Sequence, residues 1–464
     1  MIRCRSVLRT GASLLCVMLM AQAARANPAS LVPTAADVET PSLFHVSVDY
    51  AYTIESSNIE RENVGAPGTS PNGPLGTLDD LSFQQVRHTV TPKLELGVLK
   101  DSWLSFAVPI VVAQSRELSL SDGVTRAGSS TIRDGLLTAD GFDARDPGTP
   151  LPAGGDLLFR GENRSGLDQL YIGLGIAPMS QQRDDTKPTW KLGAELRLAV
   201  GKVMRFDAMK TGEETGVSRG VHELQLWTSF ARRFPYVLGY FDMWWLVPLT
   251  ARESSLYDDI DQQPGTFGST NTMPGQEGGI SFGIEAFAID DPITRNSVSL
   301  DVGARIVGHF EGREYTEMWE VFALAGDVRT GGPLVMDRNP SQAGLQAVSH
   351  PGISNIENYL ETAARVGIRG TLGARVHFGV IADVAWKTDH AITFADAGVD
   401  LATCTGAGGE APGRTCEIDA NDLVTPGTSE VNPLHVPRVD VVGHRYLSVD
   451  NLAFSIGVQA QVLF

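Results

Sequence analysis

The C-terminal stretch Asn451-Leu-Ala-Phe-Ser-Ile-Gly-Val-Gln-Ala-Gln-Val-Leu-Phe464 alternates between apolar residues and small or polar residues almost without a break. One face carries Leu452, Phe454, Ile456, Val458, Ala460, Val462 and Phe464, and the other carries Ala453, Ser455, Gly457, Gln459 and Gln461. Because side chains of a β-strand point alternately to opposite faces, the stretch predicts a strand with one apolar face. A soluble edge strand shows this pattern, and so does a membrane β-strand of about 10 residues.

The first 26 residues have the three parts of a secretory signal peptide. A basic segment, Met1–Arg9, precedes an apolar core, Gly11–Ala21, and Ala24-Arg-Ala26 is a small-residue cleavage site. No other stretch approaches the roughly 20 apolar residues of a transmembrane helix. We therefore expect an exported chain that is periplasmic, secreted or inserted in an outer membrane, with 27–42 as a short periplasmic lead.

The composition excludes some classes of function. The formal net charge is −18, and loss of the signal peptide with its arginines makes the mature chain more acidic still. Nucleic-acid binding is not expected, because phosphate contacts need Lys and Arg. The mean hydropathy of −0.05 is too polar for a helical membrane protein and suits a barrel with a polar interior and polar loops.

Two cysteines remain in the mature chain. Cys404 and Cys416 lie close together in sequence, and in an exported protein such a pair predicts a disulfide. Metal binding by two lone cysteines without clustered histidines is disfavoured, and no cofactor is predicted. The acidic runs 258–262 and 417–422 have carboxylates that could hold Ca²⁺, but neither matches an EF-hand, and a solvated surface explains them as well.

Alternating segments recur along the mature chain. They predict strands at 44–55, 85–98, 103–115, 168–177, 190–203, 221–231, 236–249, 279–289, 297–309, 358–368 and 371–387, followed by the C-terminal strand. Pro92 and Pro109 interrupt regular pairing and predict local bulges. Long loops follow the odd-numbered strands and mostly short turns follow the even ones. We therefore predict an all-β fold, an antiparallel barrel of about twelve strands over 43–464, with ten or fourteen strands as alternatives.

This arrangement resembles that of Gram-negative outer-membrane β-barrels, which have an even strand number, short periplasmic turns and long extracellular loops. The terminal Phe464 after an alternating strand is similar to the C-terminal signature of that class. The resemblance covers the mature chain and identifies no subfamily. It implies an outer-membrane location in contact with lipids and lipopolysaccharide, and it makes Phe464 part of the signal read by the barrel-insertion machinery.

Charged side chains of both signs are predicted to face the lumen. The inward carboxylates are Asp49, Glu95, Glu195, Glu223, Asp242, Glu285, Asp301, Glu361 and Asp383. The inward cations are Arg87, Lys93, Lys191, Arg197, Arg305, Arg365, Arg369, Arg375 and Lys387. His377 lies near the arginines of the tenth and eleventh predicted strands. Neighbouring strands would stack Arg365, Arg369, Arg375 and His377 into a cationic ladder that faces carboxylates, as in channels lined by charged rings.

Two functions remain open for such a barrel. Twelve strands enclose more space than the eight whose interior side chains can fill, so a channel for passive diffusion of small hydrophilic solutes is predicted. No apolar stripe is predicted in the lumen, although Trp227 and Phe287 point inward. The alternative is a closed barrel with a structural or surface-binding, adhesive role through its long loops, because a sealed interior also pairs its charges.

One long loop, 311–356, contains the apolar piece Glu317–Leu324. This piece is either a small helix that folds into the pore or an additional strand. Loops of this length are predicted to constrict the lumen.

An enzymatic function is less favoured. Twelve-stranded barrels include an outer-membrane phospholipase, whose chemistry needs a Ser nucleophile and a His base near the membrane boundary. The outward-facing His88 and His222 have no Ser beside them, and the His-x-Ser stretch of that family is absent. Asp389-His390 resembles half of the catalytic set of omptin-type proteases, but alone it is more typical of a solvated turn.

Overall fold

The structure is a computed structural model that describes residues 44–64, 75–99, 101–249, 254, 256, 273–338, 344–373, 375–395, 432 and 434–464. The predicted signal peptide (1–26), the periplasmic lead (27–42), both cysteines and the two acidic runs considered for Ca²⁺ lie outside these residues.

The described chain forms a closed barrel of twelve antiparallel strands. They are β1 Phe44–Val64, β2 Leu75–Leu99, β3 in two parts (Ser102–Ala107 and Ile110–Leu120), β4 in two parts (Arg164–Leu167 and Leu170–Met179), β5 Thr189–Leu198, β6 His222–Arg233, β7 Val237–Leu249, β8 Glu277–Asp291, β9 Asn296–His309, β10 Tyr359–Leu372, β11 Val376–Lys387 and β12 Tyr446–Leu463. Each strand pairs with its neighbours in sequence, and β12 pairs with β1 in a register that includes Val46 opposite Val462. The predicted fold class and strand number are confirmed.

The strands differ from the predicted ones mainly in length. β1 and β2 contain 21 and 25 residues, more than the roughly 10 that cross a bilayer. Their additional residues include the polar run 56–63, which shows no apolar alternation and so gave no signal. Pro109 breaks β3 as expected, whereas Pro92 stays in register with Val48 and its carbonyl accepts a hydrogen bond from the Val108 N–H at 3.1 Å.

The outer surface of the barrel is apolar, and the inner surface is polar. Outward side chains such as Leu174, Val302 and Ile368 are more than half exposed, whereas the inward Glu285 and Asp301 are buried. This distribution fits strands that face lipid on one side and a polar interior on the other. The described ranges contain no helix that is long and apolar enough to span a membrane.

At the end that carries the long loops, the interior becomes an apolar core. Apolar side chains of the extended strands, such as Ile59 and Phe83, pack there against α2 (Trp319–Ala325) and its neighbours. The other loop elements are α1 Ser130–Arg133, α3 Pro437–Asp440 and the short strands Phe142–Asp143, Leu157–Arg160, Gly312–Glu314, Met336–Asp337, Ala347–Val348, Ser354–Ile356 and His390–Ala391. The open choice between helix and strand for 317–324 is therefore resolved in favour of a helix.

Candidate functional site

The structure places nearly all of the predicted lumen residues on inward faces. These are Arg197, Arg305, Arg365, Arg369, His377, Glu195, Glu223, Asp301, Glu361 and Asp383. Arg375 is the exception, and its predicted place in the cationic ladder is wrong. It precedes β11, in the turn after Gly373, which adopts a φ of 61°, and its side chain is exposed. The turn shortens β11 at its start, so the alternation that predicted an inward Arg375 does not extend to this residue.

The cationic side chains of β9 and β10 are paired with carboxylates. Asp301 is fully buried and accepts hydrogen bonds from Tyr240 at 2.8 Å and from Arg369 at 3.0 Å, and Arg365 lies 3.6 Å away. Arg305 in turn lies 2.8 Å from Glu361 and 3.3 Å from Asp383. The predicted ladder is thus largely neutralised by neighbouring carboxylates on the same wall.

A second charged group lies on β5 and β6. Arg197 donates to Glu195 at 3.0 Å and also to Gln225, and its guanidinium lies over the ring of Tyr171, 4.7 Å from the centroid. Glu223 accepts from Arg219 and, at 3.0 Å, from Gln169. These contacts fix the guanidinium groups against the wall of the barrel.

Two adjacent cavities occupy the lumen. The lower cavity, of about 200 Å³, is lined by residues of almost all strands, among them Asp49, Lys93, Trp103, Tyr171, Glu195, Trp227, Asp242, Trp244, Arg305, Arg365 and Asp383. The upper cavity, of about 390 Å³, lies beneath the loops and is lined by Arg87, Arg116, Asp168, Glu223, Glu277, His309, Tyr359 and Lys387, among others. Arg197 lines both cavities, so they meet at its side chain.

An aromatic strip forms one wall of the lower cavity, contrary to the expectation that the lumen has no apolar stripe. Trp103, Trp227 and Trp244 each lie flat against a glycine of the neighbouring strand, namely Gly175, Gly193 and Gly279. A Cβ on Gly193 would lie 2.6 Å from the Trp227 ring, so a larger residue there would push the indole toward the lumen. The inward glycines opposite inward tryptophans were the sequence signal for this wall, and reading strands one at a time missed it.

The helix α2 is fastened to the barrel wall by a buried ion pair. Arg164 of β4 lies 2.7 Å from Glu320 of α2, and both side chains are almost fully buried. Arg164 also donates to the carbonyl oxygens of Glu214, Gly216 and Arg205 in the loop after β5. We call Arg164, Glu320 and these three carbonyls the latch. Sequence reasoning missed the latch because its partners are 156 residues apart.

Further contacts hold the start of α2. Arg116 of β3 donates to the carbonyl oxygen of Thr316 at 2.8 Å. The ring of Trp319 lies beneath two guanidinium groups, 4.8 Å from Arg164 and 5.9 Å from Arg116. The side of α2 that faces the lumen is therefore bound by polar and cation–π contacts rather than by β-sheet pairing with the wall.

Two titratable groups are buried in the loop core. Burial raises the pKa of Asp440 to about 7, and the Val436 N–H is its hydrogen-bond donor at 2.8 Å. Burial, with the nearby Arg313, lowers the pKa of His350 to about 4. Both side chains line one small cavity, of about 20 Å³, between the loops.

The residues considered for enzymatic chemistry are arranged differently. His390 is buried and stacks on Tyr359 with ring centroids 4.2 Å apart, and Tyr359 stacks on His309 at 4.3 Å. His390 is therefore not in a solvated turn. Within the described ranges, no group of three or more His, Cys, Asp or Glu side chains is arranged to hold a metal ion.

The closed barrel, its apolar outer surface and its polar interior define the class: this is a transmembrane antiparallel β-barrel of the outer-membrane type. At the C-terminal end, the ring of Phe464 stacks on that of Phe44 at 4.8 Å, where β12 closes against β1.

Neither a family model nor a curated protein matches the chain. Among solved structures it is similar to an outer-membrane channel from Pseudomonas putida F1, with 10% identity over 93% of this chain and 99% of that one and a TM-score of 0.37. It is also similar to the TodX monoaromatic hydrocarbon channel (9% identity, 95% and 93% covered, TM-score 0.32) and to a FadL homologue of Pseudomonas aeruginosa (8%, 94% and 95%, 0.30). Because these identities and TM-scores are low, the function has to be argued from the geometry of the lumen.

Proposed function

We propose that the protein is an outer-membrane channel for passive diffusion of small hydrophilic solutes through a charged lumen. Its partners would be small solutes, outer-membrane lipids with lipopolysaccharide, and the insertion machinery that reads Phe464. The observation that carries the proposal is the pair of adjacent cavities, about 200 and 390 Å³, lined by polar and charged side chains of the barrel wall. A barrel that served only as a scaffold would not need such a space.

In the structure, α2 and its loop lie across the end of this space that carries the long loops. The flanking strand Gly312–Glu314 pairs with Ser354–Ile356 of the same loop, so this pairing does not involve the twelve-stranded sheet. Movement of the loop away from the lumen would leave the sheet intact, but it requires the latch to open and α2 to leave the apolar core that it shares with Ile59 and Phe83. We infer that the latched loop is the closed state of the channel.

One observation favours the alternative, a closed barrel with a surface-binding role. Most lumen cations have a carboxylate within ion-pair distance, as Arg305 and Arg369 illustrate. Paired charges of this kind can stabilise a sealed interior, and they can equally line a pore.

Conductance of the refolded protein in a planar bilayer distinguishes the two functions. We would compare the full chain with a variant that lacks residues 311–356, after showing by heat-modifiable electrophoretic mobility that each is folded. The channel predicts discrete current steps, which are rare in the full chain and frequent in the variant. A folded variant that carries no current would contradict the proposal and favour the closed barrel. Bilayers that receive refolding detergent alone are the control for leakage.

A further inference from the structure

The charges of the lower cavity do not cancel. Three cation–carboxylate pairs line it: Lys93–Glu95 at 2.8 Å, Arg197–Glu195 at 3.0 Å and Arg305–Asp383 at 3.3 Å. Arg365 binds Asp301 and Tyr240. The lining carboxylates that remain are Asp49 and Asp242, and neither forms an ion pair with a side chain in the described part of the chain. The cavity therefore has a surplus of negative charge.

These two carboxylates lie on opposite walls. Asp49 belongs to β1 and Asp242 to β7, six strands apart in a barrel of twelve. Asp242 accepts hydrogen bonds from Ser229 and, at 3.1 Å, from Ser281, so uncharged donors hold it in place. A cation in the cavity would lie between the two carboxylates, and the charge of both would attract it.

Among the described residues, one polar group beside Asp49 has no hydrogen-bond partner. Thr91 stands opposite Asp49 in the β1–β2 register and lines the same cavity. Its side chain is 2% exposed, and its hydroxyl oxygen has no hydrogen-bond partner among the described residues. Buried polar groups are nearly always satisfied, so an unsatisfied hydroxyl at a cavity wall indicates a place for a solute or water.

Part of the wall between the two carboxylates is aromatic. Trp227 and Trp244 lie against glycines of the neighbouring strands and line the cavity. No cation of the described chain lies over either ring. The neighbouring Trp103 already accepts an ammonium group, since Lys191 Nζ lies 5.8 Å from its ring centroid. Aromatic faces beside carboxylates are the surroundings that bind alkylammonium and quaternary ammonium groups.

We propose that the lower cavity binds small organic cations of the alkylammonium and quaternary ammonium class, and that this site makes the channel cation-selective. This inference rests on the proposed channel function and names its class of solute. Asp49, Asp242 and the tryptophan wall would determine the selectivity. Arg365 and Arg369, which bind Asp301, would stabilise the barrel wall.

Binding is tested first, without reference to transport. Choline chloride is titrated into the folded protein in detergent at constant ionic strength, with sodium chloride as the reference, and binding is followed by calorimetry and by tryptophan fluorescence. We expect Asp49→Asn and Asp242→Asn each to weaken choline binding by about tenfold, the effect of losing one charged partner worth ~1.4 kcal/mol. Both changes keep the size of the side chain, and in Asp242→Asn the amide oxygen can still accept a hydrogen bond from a neighbouring serine.

Glu55→Gln is the matched control. It removes one inward carboxylate of the same strand as Asp49, but Glu55 is paired with Lys387, which lines the upper cavity. Choline affinity should be unchanged in this variant. Absence of choline binding to the wild-type protein, or equal binding to the wild type and to both Asp variants, would overturn the inference.

A bilayer experiment separates this inference from the proposed function. With a potassium chloride gradient, the reversal potential should show preference for K⁺ over Cl⁻, and the double Asp variant should lose that preference. Tetramethylammonium should block the wild-type current. A conducting channel that prefers Cl⁻ and ignores tetramethylammonium would overturn the cation site and leave the channel intact. Choline binding to a folded protein whose loop-deleted form never conducts would support the site and contradict the channel.

Discussion

Opening of the latch can be tested with one substitution, Glu320→Ala. In the structure the carboxylate of Glu320 is the charged partner of Arg164, and the two side chains are 3% and 0% exposed. The substitution leaves the guanidinium of Arg164 buried without a counter-charge. We expect the loop that carries α2 to leave the lumen more often, so the channel should open more often.

The size of the effect follows from the burial of the pair. Removal of one partner of a buried ion pair typically costs about 3–5 kcal/mol. Arg164 keeps three carbonyl acceptors, at 2.7, 3.0 and 3.1 Å, which lowers the cost toward the smaller value. A cost of ~3 kcal/mol changes an equilibrium by roughly a hundredfold. The ratio of open to closed time in single-channel records should rise by about that factor.

The matched control is Arg329→Gln. Arg329 joins the same two loops through Asp207 and Asp327, but it is about half exposed, and surface ion pairs contribute little. The ratio of open to closed time in the Arg329→Gln variant should stay close to that of the wild type. If Glu320→Ala folds, as judged by heat-modifiable mobility, and opens no more often than Arg329→Gln, the latch does not hold the channel closed.

Three further predictions concern the wall and the loop core. Gly279→Val should push Trp244 into the lower cavity and reduce single-channel conductance, whereas Gly239→Val, with open space around it, should not. Gly352→Ala should loosen the loop, because Gly352 has a φ of 83° and an added Cβ would meet a carbonyl of α2. The expected result is faster proteolysis of the loop. Because the folded pKa of Asp440 is raised from 3.8 to about 7, its contribution to loop stability is complete below pH 4 and is lost as pH rises through 7. Hydrogen exchange of the loop from pH 4 to 8 should show this loss in the wild type and not in Asp440→Asn.

The barrel could be predicted from the sequence because its main signal is local. Alternation in segments such as Thr189–Leu198 needs only neighbouring residues, and the order of long and short connections gives the strand number. The same alternation placed Arg365 and Arg369 on the inner face. It misplaced Arg375, because the strand was predicted to begin at residue 371, whereas the tight turn lies at Gly373 and the strand begins at Val376.

What could not be predicted depends on pairs of distant residues. The latch joins residues 164 and 320, and the apolar core of the loops joins Ile59 to Phe322 and Tyr446. No periodic pattern connects such positions, and their polar or apolar character alone does not show which of them meet. The pairing of Asp301 with Tyr240, Arg365 and Arg369 belongs to the same group, although each of these residues lies within a predicted strand or at its end.

This difference changes how the lumen charges should be interpreted. From the sequence, the stacking of Arg365, Arg369 and Arg375 on neighbouring strands suggested a cationic wall in the lumen. In the structure, Arg365 and Arg369 share the fully buried Asp301, and drawing either guanidinium toward a solute weakens its pairing with that carboxylate, which costs free energy. A passing solute therefore interacts most readily with Asp49 and Asp242, the lining carboxylates that form no ion pair among the described residues. The sign of selectivity is then set by the few unpaired charges, and the many paired ones keep the wall rigid around them.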